Sequence, residues 1–293
     1  MQILTGQEGG FCTMNYDAEA RRSLERIAQT QPLIHQITNL VVTNDSANLT
    51  LGFGALPVMA YAPEEVAEMA ALSQALVLNI GTLSVGEIAA MLLAGHAAAM
   101  AEIPIVLDPV GAGATQFRTE SALRLLHELP ITLLRGNRGE IGALLGSGAV
   151  RGVEAVGREV PAEVAVAASA RFGVTTAVTG AVDVVVDGER ALYVHNGDPM
   201  LARITGSGCM ATAAIGIFLT AGDDPLLQAA LALASYGLAA ERAAVDVPGP
   251  GTFRARLLDE VAALATKGIT GLRITPEPAA TAATPNDGFG VST

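Results

Sequence analysis

Most of the residues able to do chemistry sit in short polar or glycine-rich segments, each following an apolar run: TNLVVTND, NIGTLS, DPVGAGAT, RGNRGE, TGAVD and TGSGCM. The last of these leads into ATAAIGIFLTAG, whose length and lack of β-branched continuity predict a helix. A glycine turn at a helix start directs free backbone N–H groups and the positive end of the helix dipole at one point. Gly206, Ser207 and Gly208 therefore read as an anion site. The thiol of Cys209 beside it is expected to ionise more readily than a free cysteine. Whether Cys209 uses this for chemistry, or is only a small residue that fits, stays open at this level.

DPVGAGAT, residues 108–115, leaves an apolar run at Asp108 and enters a Pro/Gly turn. A carboxylate beside glycines that admit close backbone approach suits a phosphate–Mg²⁺ site. The segment lacks the Gly-Lys-Ser/Thr ending of a Walker loop, and no G-x-G-x-x-G opens the first βαβ unit. In RGNRGE, residues 135–140, Asn137 and Glu140 stand three apart at a helix start. An amide and a carboxylate facing one point can hold a hydrated Mg²⁺, which takes few protein ligands. The same spacing fits a capping box with Asn137 at the N-cap, and spacing alone does not separate the two. Arg135 can pair with a phosphate or stand as a surface charge. His35, His96, His127 and His195 show no metal-ligand spacing and read as structural or solvent-facing, and Met59 in LPVMA reads as core filler.

Holding these segments along one edge requires alternating elements. The apolar runs LIHQI, ALVLNI, IPIVLD, ITLL and TTAVTG are separated by helical patterns near 44–53, 63–73, 84–101, 119–128 and 160–172. Strands apolar on both faces and alternating with helices predict βαβ units and a mostly parallel sheet covered on both sides. Ligands of such sheets bind at the carboxyl ends of the strands, where these segments fall. A hairpin is expected around Asp187-Gly188, and a helix capped by Asp17 and stopped by Pro32 opens the domain. Alanine-rich helices follow at about 207–221, 225–245 and 252–266, with a last short strand near GLRIT. The expected organisation is an N-terminal extension (1–16), one α/β domain (17–275) and a Pro/Ala/Thr-rich disordered tail (276–293).

The chain has 293 residues, 51% of them hydrophobic and none of them tryptophan, which is ample for an aliphatic core. Its net charge of −12 argues against nucleic acid or an anionic membrane as partner. Any anionic substrate must be gathered locally, by glycine turns and a few basic side chains. Two cysteines make no disulfide framework, and the N-terminus lacks a secretory pattern. The uncharged stretches at 69–86 and 204–222 carry Gly, Ser, Asn or Gln and read as buried core. A cytoplasmic enzyme is the expectation.

In order, HQITNLVVTNDSAN, GALPVMA, LVLNIGTL, PIVLDPVGAGAT, LRGNRGEI, AVTGAVDVVVDG, TGSGCM and PGTFRARLLDE resemble the motifs of hydroxyethylthiazole kinase, over roughly residues 20–272. That family belongs to the ribokinase-like superfamily, with a three-layer α/β/α fold. The resemblance implies transfer of the ATP γ-phosphate to the primary alcohol of 4-methyl-5-(2-hydroxyethyl)thiazole, with Mg²⁺, in thiamin salvage. It also implies a homotrimer with thiazole sites between subunits. Position by position, Met59, Gly206 and Asn39 would contact the thiazole, and Arg135 and Thr179 the ATP. Asn137 and Glu140 match the superfamily's Asn-x-x-Glu motif and, with Asp108, would organise Mg²⁺. Gly206 and Gly208 would frame the anion hole, and Cys209 stands where most ribokinase-like kinases carry an aspartate. Ser207 replaces an expected threonine, and SANLTLGFGA departs from the usual alanine-rich version. A kinase of another small alcohol, such as a hydroxymethylpyrimidine, is disfavoured by Cys209 and by HQITN. A non-catalytic sensor is disfavoured by Glu140, Asp108 and Cys209, and an NAD-dependent oxidoreductase by the missing dinucleotide fingerprint.

Overall fold

The structure, a computed structural model, describes residues 14–146 and 160–278. Helix α1 (Tyr16–Thr30) starts from Asn15, whose side chain accepts the Ala18 N–H, and ends at Gln31 in a left-handed conformation before Pro32. Asn15 thus takes the capping role expected of Asp17. Asp17 lies within the first turn and instead accepts the backbone N–H groups of Gly271 and Leu272.

From there strands and helices alternate: β1 (Leu33–Ile37), α2 (Thr43–Gly52), β2 (Leu56–Val58), α3 (Val66–Leu72), β3 (Ala75–Asn79) and α4 (Val85–Met100). They continue with β4 (Ile105–Asp108), α5 (Gln116–Glu128), β5 (Leu133–Asn137), α6 (Arg138–Leu145), α7 (Val160–Phe172) and β6 (Thr175–Thr179). A hairpin, β7 (Asp183–Asp187) and β8 (Arg190–Val194), turns at Gly188 with a positive φ. A 3₁₀ turn (Pro199–Arg203) precedes α8 (Ser207–Phe218), α9 (Pro225–Ala244), α10 (Pro250–Lys267) and β9 (Ile274–Pro278).

All nine described strands form one sheet in the order β2-β1-β3-β4-β5-β6-β7-β8-β9. The first six pair in parallel and the last three antiparallel. The two-residue period of the strands divides the core into two layers. Val77, Val106, Leu133 and Ala177 pack under α1, α2, α8, α9 and α10, whereas Leu76, Leu78, Ile105, Leu107 and Val178 pack under α3 to α7. The three-layer α/β/α architecture expected from the alternation is therefore present.

Two local expectations change. Strand β2 was not visible as a run, because it is three residues long and only partly buried. Pro276, Glu277 and Pro278, expected to open the tail, instead belong to β9 and pair with Leu192, Ala191 and Arg190. Prolines are tolerated there because β9 is an edge strand. The rest of the expected tail, and residues 1–13 of the expected extension, lie outside the described residues. Truncation after Thr275 removes three of the five β8–β9 register pairs and is expected to lower Tm by several degrees in a thermal melt, where a free tail would leave it unchanged.

Candidate active site

The parallel strands all deliver their carboxyl ends to one edge of the sheet. Between β1 and β3 the strand order reverses, because β2 lies on the far side of β1. Such a reversal opens a crevice where ligands of open α/β sheets bind. Asn39 follows β1, Asn79 ends β3, Asp108 ends β4, Arg135 lies in β5, Thr179 ends β6, and the start of α8 brings Cys209.

A chain of polar side chains connects these ends. Asn39 Oδ1 accepts the Val41 N–H, which turns its Nδ2 toward Asn79 Oδ1 (2.9 Å) and Cys209 Sγ (3.3 Å). Asn79 Oδ1 also accepts the Gly81 N–H, so its own Nδ2 donates to Asp108 Oδ2 at 2.9 Å. The Thr212 hydroxyl donates to the same oxygen at 2.7 Å, and the Arg135 guanidinium lies 3.6 Å from it. On its other side Arg135 donates to Thr179 Oγ1 at 2.5 Å. Asn39, Asn79, Asp108, Thr212 and Arg135 are all buried.

The glycines of the turn are there for steric reasons. Gly206 has φ +82°, and a Cβ on it would lie 2.6 Å from Val42 Cγ2. A Cβ on Gly208 would lie 2.8 Å from the Arg135 guanidinium. The backbone of the turn therefore rests directly on a cation. Gly206 caps α8 without any side-chain hydrogen bond to the first turn, and Tyr236 of α9 braces the turn by donating to the Ser207 carbonyl at 3.2 Å. Uncapped N–H groups above a buried guanidinium are an electrostatic sink for a phosphate.

The electrostatics of the thiol reverse the expectation from the helix dipole. Burial pushes the Cys209 thiol above its ordinary value, and the Asp108 carboxylate pushes it further. The bonds to Asn79 and Asn39 and the charge of Arg135 pull the other way without prevailing. Asp108 is itself displaced upward to about 6, mainly by complete burial, with Arg135 opposing. Among the described residues its Oδ1 has no hydrogen-bond partner.

Asn137 and Glu140 form the capping box: Asn137 Oδ1 accepts the Glu140 N–H at 3.0 Å, and Glu140 Oε2 accepts the Asn137 N–H at 2.9 Å. Glu140 Oε1 also accepts the Gly111 N–H at 2.9 Å, tying RGNRGE to the DPVGAGAT turn. Among the described residues no group of three or more His, Cys, Asp or Glu side chains could hold a metal alone. Asn137, Glu140 and Asp108 supply only hard oxygen donors, a set that suits Mg²⁺ completed by water and phosphate.

A cleft of about 730 Å³ opens beside the turn. Arg135, Asn137, Thr179, Ser207 and Gly208 line it, together with a wall formed by Asn196, Gly197, Asp198 and Pro199 and by Tyr236 of α9. Met59 is half-buried after β2 and is not among the residues lining this cleft. His35 is buried and its Nε2 meets the Ala60 carbonyl at 2.9 Å, a structural position as expected.

Sequence reasoning gave Asn79 no role of its own, although it heads NIGTLS, and missed Thr212, Arg118 and the Asn196–Pro199 wall. Arg118 of α5 donates to the carbonyls of Ile80, Val110 and Gly81 at 2.8–2.9 Å, clamping the loops after β3 and β4. The available signals were an asparagine closing an apolar run and a threonine within an alanine-rich helix.

The profile of the hydroxyethylthiazole kinase family matches residues 24–267. Hydroxyethylthiazole kinase of Desulforudis audaxviator is 54% identical over 255 residues, covering 86% of this chain and 93% of that protein. The solved structure of hydroxyethylthiazole kinase from Pyrococcus horikoshii OT3 superposes with a TM-score of 0.81 at 42% identity, over 89% of this chain and 99% of that one. A ribokinase-like superfamily protein from Enterococcus faecalis V583 shares the fold at 13% identity, with a TM-score of 0.57 over 78% of this chain and 86% of its own.

Proposed function

The chain belongs to the hydroxyethylthiazole kinase family, and on that premise we propose that it transfers the γ-phosphoryl group of ATP to the primary alcohol of 4-methyl-5-(2-hydroxyethyl)thiazole. The observation that carries this reading is the Arg135 guanidinium lying against Gly208 of the glycine turn, both lining the cleft. Phosphoryl transfer spreads negative charge over the transferring oxygens, and catalysis consists mainly of positioning and stabilising that charge. The Gly206–Gly208 turn and Arg135 supply fixed positive potential at that point. Thr179 holds the guanidinium by its hydroxyl, and Asp108 anchors it from below.

Cys209 lies at the edge of this anion site with its sulfur oriented by Asn39. It serves as a modest general base for the substrate hydroxyl and forms no covalent intermediate. Asn39, Met59 and Gly206 are the thiazole-contacting candidates. Mg²⁺, when bound, neutralises phosphate charge. Asn137, Glu140 and Asp108 would hold it, their oxygen-only donors fitting such an ion. Glu140→Gln is expected to raise the Mg²⁺ concentration needed for half-maximal rate and to lower turnover, read from a Mg²⁺ titration of ADP release. An unchanged titration would leave Glu140 as a helix cap alone.

The described residues, 14–146 and 160–278, act as one kinase domain, a reading supported by the single sheet that runs from β2 to β9. No described helix is long and apolar enough to cross a membrane, and a cytoplasmic enzyme is proposed. Self-association as a homotrimer is supported by exposed apolar side chains on the β1–α2–β2 unit, Leu40, Val41, Leu51 and Leu56. Light scattering is expected to give three times the chain mass of 29.8 kDa, and an active monomer would remove both the trimer and a site shared between subunits. The function itself is tested by ADP release against a panel of thiazole and pyrimidine alcohols, with the phosphorylated thiazole identified by mass. Turnover of only the pyrimidines would overturn the substrate assignment.

A further inference from the structure

One wall of the cleft, Asn196–Pro199, is loop backbone, yet it is held by an ionic network that the reaction does not use. Glu241 of α9 is the hub. Its Oε1 accepts the Gly197 N–H at 2.8 Å, Asn196 Nδ2 at 3.3 Å and Arg273 Nη2 at 2.7 Å. Its Oε2 accepts Arg273 Nη1 at 3.2 Å, which makes the pair with Arg273 bidentate. Arg273 in turn holds the loop from the other side. Its Nη2 donates to the His195 carbonyl at 2.6 Å and its backbone N–H to Asn196 Oδ1 at 2.7 Å. Asn196 Nδ2 also reaches the Gly271 carbonyl at 3.1 Å.

Gly197 has φ +148°, a conformation that side chains disfavour, and beyond it Asp198 Oδ1 accepts the Met200 N–H at 2.8 Å, so local bonds hold the far end of the wall and the Glu241 network its near end. Steric contact sets the wall as closely as hydrogen bonding does. A Cβ on Gly237, one turn before Glu241 on α9, would lie 2.5 Å from the Asn196 carbonyl oxygen. Burial alone pushes the Glu241 carboxyl up, but the bonds from Arg273, Gly197 and Asn196 outweigh it and hold the group below its ordinary value.

We propose that Glu241 is a positioning residue for nucleotide binding: with Arg273 it latches the Asn196–Pro199 wall against α9 and so sets the width of the cleft that receives ATP. The inference rests on the cleft being the nucleotide site of the proposed kinase. Positioning and simple charge predict opposite signs. ATP is a polyanion and the protein carries −12, so removing a carboxylate near the cleft would tighten ATP binding if charge alone mattered. Loss of the latch instead loosens the wall and weakens it.

The test is ATP affinity, measured with a fluorescent ATP analogue on the full chain, alongside steady-state KM values for ATP and the thiazole alcohol. Glu241→Leu is expected to weaken ATP binding about tenfold, as expected for losing charge-assisted hydrogen bonds, with kcat and the thiazole KM little changed. Glu241→Gln keeps one acceptor for Gly197 and is expected to retain most of the affinity. Gly237→Ala displaces the same wall sterically and is expected to weaken ATP without touching the carboxylate. Unchanged or tighter ATP binding in folded Glu241→Leu and Gly237→Ala would overturn the proposal, as would an equal rise in both KM values. A wild-type protein that binds ATP but phosphorylates no thiazole would defeat the substrate reading alone, and the binding comparison would still decide the role of Glu241.

Discussion

Replacing Gly208 by valine is expected to lower turnover by roughly 100- to 1000-fold, the range seen when one donor of a charge-stabilising hole is lost. The reason is geometric. The first atom of any side chain at this position falls 2.8 Å from the Arg135 guanidinium, and that group cannot swing away freely. It is buried, tied to Thr179 at 2.5 Å and held near Asp108 at 3.6 Å. Either the turn lifts away from its cation or the guanidinium leaves its anchors, and both separate the two halves of the anion site. Single-turnover phosphate transfer measures the loss, and a melting curve close to wild type shows that it comes from the site. A Gly208→Val enzyme within a few-fold of wild type would mean that the turn does not stabilise the transferring group.

Removing the thiol is expected to cost less. Cys209→Ala should lower kcat by roughly 10- to 100-fold, at the low end for loss of a general base. The transition state is loose, so the substrate proton leaves late and the base contributes little compared with fixed charge. The upward displacement of the thiol sharpens this expectation. Burial and Asp108 both favour the protonated sulfur, which limits what the thiol can contribute as a base. Cys209→Asp is therefore expected to be active. The same protonation predicts slow alkylation: in a Cys12→Ser background, iodoacetamide should label Cys209 more slowly than free cysteine at pH 8. Full activity in Cys209→Ala would reduce the residue to one that is merely small enough to fit.

The thiol also shows where sequence reasoning stops. The helix start and its glycines were legible, and a helix N-terminus does favour a thiolate. What sequence could not supply was depth, nor the presence of Asp108 across the crevice, a residue 101 positions earlier that burial and topology bring within electrostatic reach. The strand ends were readable because each apolar run stops in a polar or glycine-rich segment, and the parallel sheet followed from runs apolar on both faces. Asn137 and Glu140 could be read as cap or as metal ligand, and the cap is formed, with a further bond from Gly111 that spacing alone gives no hint of. Asn79 heads NIGTLS, but nothing in sequence showed which groups it would bridge, and Thr212 was hidden because a single polar residue in an alanine-rich helix looks like ordinary core variation. The Asn196–Pro199 wall was hidden because its shape is fixed by Glu241 and Arg273, which are 45 and 77 residues from Asn196.

The two edges of the sheet bear on how copies of this chain can meet. Strand β2 carries Pro57 at one margin, and β9 carries Pro276 and Pro278 at the other. A proline has no N–H to offer an incoming strand. Neither margin can therefore template a continuous ladder with a neighbour, and the sheet is blunted against growth into fibres at both ends. Any contact between copies is left to side chains on faces and loops rather than to a shared ladder of main-chain bonds. For a chain this rich in aliphatic residues, the prolines keep the nine described strands from recruiting a tenth.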